Sequence, residues 1–154
     1  MSSIFFPRDE YFMRLALREA ERALEHDDVP VGCVVARDQE LIGAAPNERE
    51  LRGDPTAHAE ILALREASTA IGSWRLTDAV VYVTLEPCAM CAGAISHARL
   101  RRLYYGADDA KGGAVANGPR FFAQPTCHHR PEIYGGIGEA EAGAMLRAFF
   151  RDRR

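Results

Sequence analysis

The sequence predicts an α/β protein: a three-layer α/β/α sandwich on a mixed five-stranded sheet with helices on both faces. Three observations carry this. Segments of strand composition alternate with segments of helical periodicity along most of the chain, the pattern of a sheet covered by helices. Residues 79–85 (AVVYVTL) form a near-continuous apolar run, as expected of a strand buried on both faces. Residues 31–36 (VGCVVA) and 41–45 (LIGAA) flank the polar Arg37-Asp38-Gln39-Glu40, which reads as a hairpin.

The first helix is expected from Asp9, available as N-cap, to about His26, because Phe12, Ala16, Ala20 and Ala23 recur at helical spacing. Asp27-Asp28-Val29-Pro30 breaks it, and the hairpin follows. A second helix is expected to start near Asp54-Pro55-Thr56, where proline suits a first turn, with Ala57, Ile61 and Leu64 on one face. After the apolar strand, Glu86-Pro87 gives way to a third helix, residues 88–98 (CAMCAGAISHA). Residues 101–107 and 131–137 supply the last two strands, and residues 139–154 a C-terminal helix. Residues 108–131 stand apart, rich in Gly, Pro and His with one helical turn at Arg120-Phe121-Phe122-Ala123. Long loops in compact domains are often functional. No repeat, linker or low-complexity tract divides the chain, so residues 1–154 read as one domain.

Composition narrows the class further. With 154 residues, 47% hydrophobic and 27% charged, the chain can bury a core without staples and reads as an ordinary globule. No apolar run approaches the ~20 residues that cross a bilayer, and the N-terminus lacks a basic start followed by a long apolar core. A cytoplasmic location is expected, with no membrane partner. A net charge of −3 gives no global field for nucleic acid, so any such binding must be local. The C-terminal segment gathers Arg147, Arg151, Arg153 and Arg154 around Phe149 and Phe150. Such an end suits RNA, or is a solvated terminus whose cations offset the helix dipole. Trp74 reads as a packing residue, Cys33 as a small core residue, and His26 and His97 as surface or capping histidines.

The chemistry-bearing residues are His58-Ala59-Glu60 and, some thirty residues on, Pro87-Cys88-Ala89-Met90-Cys91. Histidine nitrogen and cysteine thiolate are preferred zinc ligands, and a catalytic site uses three protein ligands so that a fourth position stays open. His58, Cys88 and Cys91 are three. Two cysteines as C-x-x-C beside proline favour metal in a reducing compartment over disulfides. Cys88 and Cys91 face the same way at a helix start, where the dipole favours thiolate. Glu60 lies about 200° around a helix from His58, but at a helix start it can still lean over the open position. It is expected as the proton carrier and not as a ligand, because zinc acidifies water and a nearby carboxylate can take and return the proton. A structural zinc would normally have four ligands. Cys127-His128-His129 could form a second metal site, supply a fourth ligand or set a histidine near substrate, but reads mainly as loop structure, since consecutive residues rarely converge on one metal.

H-x-E…P-C-x-x-C is the established signature of zinc-dependent nucleobase deaminases. More of the chain carries the likeness. Residues 54–67 (DPTAHAEILALREA), residues 81–94 around the two cysteines, and residues 105–113 (YGADDAKGG) resemble the bacterial tRNA-specific adenosine deaminases. The resemblance runs from the first helix to Phe149-Phe150-Arg151. It implies a cytidine deaminase-like fold and conversion of adenosine to inosine at the wobble position of a tRNA anticodon, chiefly tRNA-Arg with anticodon ACG. It also implies a homodimer with one zinc per subunit, bound to the anticodon stem-loop. On the same resemblance His58, Cys88 and Cys91 hold zinc and Glu60 moves the proton. Asn47 contacts the nucleoside, and Asp108, Asp109, Lys111, Phe149, Phe150 and Arg151 contact RNA. Residues 112–129 differ from the enterobacterial pattern.

A rival reading is a deaminase of a free base or nucleoside such as cytosine or guanine, since such enzymes share the zinc motif. A silent zinc-containing RNA-binding module is a second rival, against which Glu60 argues.

Overall fold

The computed structural model describes residues 5–153. The elements run α1 (Pro7–Leu24), β1 (Gly32–Arg37), β2 (Glu40–Pro46), α2 (Arg49–Arg52), α3 (Ala59–Ile71), β3 (Ala79–Leu85), α4 (Ala89–Ala98), β4 (Arg102–Ala107), a 3₁₀ turn (Phe121–Ala123), β5 (Glu132–Gly135) and α5 (Glu139–Arg151). The sheet order is β2-β1-β3-β4-β5. β1 is antiparallel to β2 and β3, while β3, β4 and β5 are parallel. The expected mixed five-stranded sheet is therefore present.

Each face has its own core. On one, Phe12, Met13, Ala16 and Leu17 of α1 and Ala142 of α5 pack on Val34, Tyr82 and Tyr104. On the other, Ala63, Leu64 and Ala67 of α3 and Ala92 and Ile95 of α4 pack on Cys33, Val35, Val81 and Val83. The cross-strand pairs Tyr82–Tyr104 and Tyr104–Tyr134 stack at 5.0 Å each, and Phe12 stacks on Tyr82 at 5.4 Å. Such aromatic pairs add to sheet stability beyond area burial.

Gly32 admits α1 to the sheet. A Cβ there would stand 2.0 Å from the Ala16 carbonyl oxygen and 2.4 Å from the Ala20 nitrogen, both backbone atoms that cannot swing away. Gly32→Ala is expected to cost about 2–3 kcal/mol by overpacking. The check is the urea midpoint, which should fall at unchanged denaturant slope.

Several expectations shift. α1 starts at Pro7 with Phe6 as N-cap, so Asp9 is no cap. It lies in the first turn, buried, and its Oδ1 accepts the Tyr82 hydroxyl at 2.6 Å. The second helix begins at Ala59, because Asp54 Oδ1 accepts from the Thr56 backbone N–H and hydroxyl, both at 2.8 Å, and closes a turn there instead. On α3 Ile61 is only partly buried, and Leu62 and Ala63 share the core with Leu64. The short α2 was not expected. It ends at left-handed Gly53, and its N-terminal amides of Glu50 and Leu51 donate to buried Asp28 at 2.6 and 3.1 Å. Asp28 also meets His26 Nδ1 at 2.7 Å. Trp74 is 55% exposed, with the Arg75 guanidinium 4.9 Å from its ring centroid, so it does not pack into the core. Arg154 lies outside the described residues.

Because β1 runs against its neighbours, one end of the sheet collects Gly32, the Pro46 end of β2 and the carboxyl ends of β3 and β4. Ligand sites in α/β sheets gather at such an end.

Candidate metal and active site

His58 is the N-cap of α3 and Cys88 the N-cap of α4, with Cys91 in the first turn of the same helix. Both helices thus aim their unpaired amides and positive dipole ends at one place, which favours anionic side chains there. The Cys88 and Cys91 sulfurs lie 3.7 and 3.6 Å from His58 Nδ1. The three ligand atoms all fall within 4.8 Å of one another, so the group can hold a metal ion. Among the described residues no other such group of His, Cys, Asp or Glu occurs.

The backbone explains Glu60. His58 is extended, with φ −73° and ψ 153°, and helical geometry begins only at Ala59. The rotation of about 200° that a continuous helix imposes between residues two apart does not apply across that junction. Both side chains line one cavity of about 240 Å³, with Val29, Val31, Asn47, Arg49, Leu85, Glu86, Cys88, Asp109 and Gly112 completing the wall.

Ionisation in the cluster is strongly perturbed. Burial pushes the Glu60 carboxyl up to about 7. A hydrogen bond from Cys91 pulls Cys88 down to about 4, against partial burial and with help from His58. The same pairing, together with burial, pushes Cys91 up. The bond to Cys88 raises His58. The two thiols are thus of unequal acidity, and each would have to give up its proton to bind a cation.

Asn47 is buried beside the cavity, with its Nδ2 donating to the Val29 carbonyl and its Oδ1 accepting from the Arg49 N–H, each at 3.2 Å. These two bonds set the amide's orientation and leave one donor hydrogen and one lone pair.

The whole chain carries the likeness that the site suggests. A family model described as MafB19-like deaminase matches residues 7–154. A relative in Agrobacterium fabrum (strain C58), named tRNA-specific adenosine deaminase, is 56% identical over 144 residues, covering 94% of this chain and 95% of the relative. The chain belongs to the tRNA-specific adenosine deaminase family. A solved structure from work on A-to-I editing by tRNA:A34 deaminases at the wobble position of transfer RNA superimposes with TM-score 0.87. It is 55% identical, covering 88% of this chain and 99% of that one. A guanine deaminase from Bacillus subtilis is more distant, at 28% identity and TM-score 0.64, covering 92% of this chain and 93% of that one. This chain is a deaminase on its family's cytidine deaminase-like fold.

Asp109 lines both the 240 Å³ cavity and a larger groove of about 1050 Å³, which Asp108 and Lys111 also face. Arg147, Phe150, Arg151 and Arg153 form its other side. Phe149 points inward instead and is buried, beneath the Arg153 guanidinium at 3.7 Å from its centroid, while Arg153 also pairs with Asp27. Cys127 and His129 sit at the far end of α4 from Cys88. There Ser96 Oγ donates to the His129 carbonyl at 2.8 Å, and His129 Nε2 lies 2.6 Å from the Leu100 carbonyl. These contacts tie the loop to the C-terminal end of α4, and neither residue lines the cavity.

Two wall residues escaped sequence reasoning. Arg49 carries no motif and is brought in by α2. Glu86 is 2% exposed, and although burial opposes ionisation, bonds from Asp109, Asn117 and Val115 lower its pKa in sum. Its place beside Pro87-Cys88 was the only signal available.

Proposed function

We propose that this single-domain chain deaminates adenosine to inosine at the wobble position of a tRNA anticodon, chiefly in tRNA-Arg with anticodon ACG. It acts in the cytoplasm as a homodimer with one zinc per subunit. The observation that carries the RNA reading is that the 240 Å³ cavity and the 1050 Å³ groove share Val29, Leu85, Asp109 and Gly112. A free base needs only the first; a nucleotide within a strand also needs somewhere for its neighbours to go. The groove carries Lys111, Arg147, Arg151 and Arg153 beside exposed Phe150 and against Asp108 and Asp109, a lining still net basic on a chain of net charge −3. No described helix is long and apolar enough to cross a membrane.

Zinc is supported by spacing. Tetrahedral zinc sets an imidazole nitrogen and a thiolate sulfur about 3.6 Å apart. His58 stands 3.7 and 3.6 Å from the two sulfurs. His58, Cys88 and Cys91 would hold the ion, which supplies a Lewis acid that makes water nucleophilic at neutral pH. Asn47 holds the base through its free donor and acceptor. Glu60 accepts a proton as water adds to C6 and delivers it to N1; it then takes the proton of the new C6 hydroxyl and passes it to the amine, which leaves as ammonia while C6 becomes a carbonyl. Adenosine and water thus give inosine and ammonia. Anticodon bases are single-stranded, so extruding one costs only a few kcal/mol.

Sequencing of tRNA before and after treatment tests the reaction, because inosine reads as guanosine. Deamination of free bases with untouched tRNA would favour the rival. The groove has its own test. Phe150→Ala with Arg151→Ala is expected to weaken tRNA binding about tenfold or more, since one base stack is worth about 1–3 kcal/mol. The salt dependence should also flatten by about one unit of slope. Both side chains are exposed, so thermal stability should hold. Unchanged binding would leave the helix end as a solvated terminus.

A further inference from the structure

Glu86 is buried, charged and adjacent to the metal-ligand segment, yet no step of the deamination uses it. Its Oε1 accepts from the Asp109 N–H at 2.9 Å and the Asn117 side-chain amide at 2.7 Å. Its Oε2 accepts from three successive backbone N–H groups, of Val115, Ala116 and Asn117, at 3.0 Å each. A carboxylate offers about four lone-pair sites, so five donors saturate it. Nothing is left over for substrate or for proton transfer. Successive amides converging on one oxygen form an anion nest, here occupied by the protein's own side chain.

Residues 108–117 fold around that carboxylate. A Cβ on Gly113 would stand 2.4 Å from the Glu86 carboxyl carbon and 2.5 Å from the Asp109 carbonyl oxygen, so the loop closes only with glycine there. The Ala114 N–H donates to the Pro87 carbonyl at 2.9 Å, a second tie beside Cys88. Order then passes outward. Asp109, fixed by its own N–H, accepts from Lys111 and Gly112 backbone amides at 3.1 and 2.9 Å through Oδ1. Asp109 and Gly112 line the cavity, and Lys111 faces the groove.

We propose that Glu86 is a positioning residue: it fixes the loop of residues 108–117, and so the substrate-facing wall at Asp109, Lys111 and Gly112, relative to Cys88. It sets how tightly and in what register the nucleotide is held, not the chemistry. This rests on the deaminase reading above, and one arm of its test does not.

Glu86→Gln keeps shape but turns one acceptor into a donor. On the Oε1 side the new NH₂ meets two donors; on the Oε2 side it meets three. For an anticodon stem-loop, KM is expected to rise about tenfold while kcat falls less than threefold and metal content is unchanged. Amide hydrogen exchange at residues 109–117 should accelerate while the β1 and β3 amides keep their protection. Adding Asn117→Asp to Glu86→Gln presents an acceptor to the new NH₂ and should recover part of the KM, whereas Asn117→Asp alone sets two carboxylates against each other and should raise it. If Glu86→Gln fails to fold, Asn117→Ala removes one of the five bonds and should move KM and exchange in the same direction. An unchanged KM with losses only in kcat or stability would overturn the proposal, as would an absence of rescue. If wild-type protein leaves the stem-loop untouched, the substrate reading fails, while the exchange arm still decides whether Glu86 holds the loop.

Discussion

Glu60→Ala is expected to keep its metal and lose turnover by about 10³-fold or more. General acid–base catalysis by one positioned group is worth roughly 10²–10⁴. Glu60 is assigned every proton movement of the reaction, from water to N1 and to the leaving amine, so its loss belongs near the top of that range. Glu60 is 4% exposed, and burial raises its pKa to about 7, where it can both take and give a proton. Glu86, the other buried carboxylate of the cavity wall, cannot replace it, because five donors saturate it. The check pairs metal analysis with single-turnover rates on a stem-loop. An empty site in Glu60→Ala would make Glu60 a ligand, and near-normal turnover would remove it from the chemistry.

What the sequence disclosed depended on the range of the interaction. The C-x-x-C spacing of Cys88 and Cys91 is local, and the H-x-E pair needs only a helix start, so both could be read from neighbours in the chain. The apolar run of β3 likewise announced its burial on both faces. Asp28 and Glu86 could not be read in this way. Their partners are backbone amides, which every residue possesses: those of Glu50 and Leu51 for Asp28, and of Val115 to Asn117 for Glu86. No residue type marks such a partner. Asp9 misled for a related reason, since an aspartate near a helix start reads as a cap until a tyrosine from β3 proves to be its partner. Phe149 and Phe150 show the limit of clustering as a signal. Adjacent helical positions point about 100° apart, so of two neighbouring aromatics one is buried and the other faces the groove.

Cys88→Ala and Cys91→Ala are each expected to lose the metal and all measurable deamination, while the chain stays folded. A three-ligand site stripped of one thiolate keeps too few donors for tight zinc binding. Folding is another matter, because the core of Val81, Val83, Ala92, Ile95 and Leu103 is assembled from apolar contacts that need no ion. Bound zinc would add stability by mass action alone, about 4 kcal/mol when free zinc stands at a thousand times its dissociation constant. In a domain of this size that is roughly 8–16 °C in melting temperature. Chelation of the wild type should reproduce that shift with far-ultraviolet dichroism intact, and added zinc should reverse it in the wild type but not in either variant. Cys91 is fully buried and Cys88 is not, so Cys91→Ala carries an extra cavity cost that Cys88→Ala escapes. A chain that unfolds on chelation would make the ion a staple of the fold. Stoichiometric zinc in either variant would mean that the ion sits elsewhere. Retained structure with lost metal and lost turnover is the one combination that a catalytic site with an open coordination position requires.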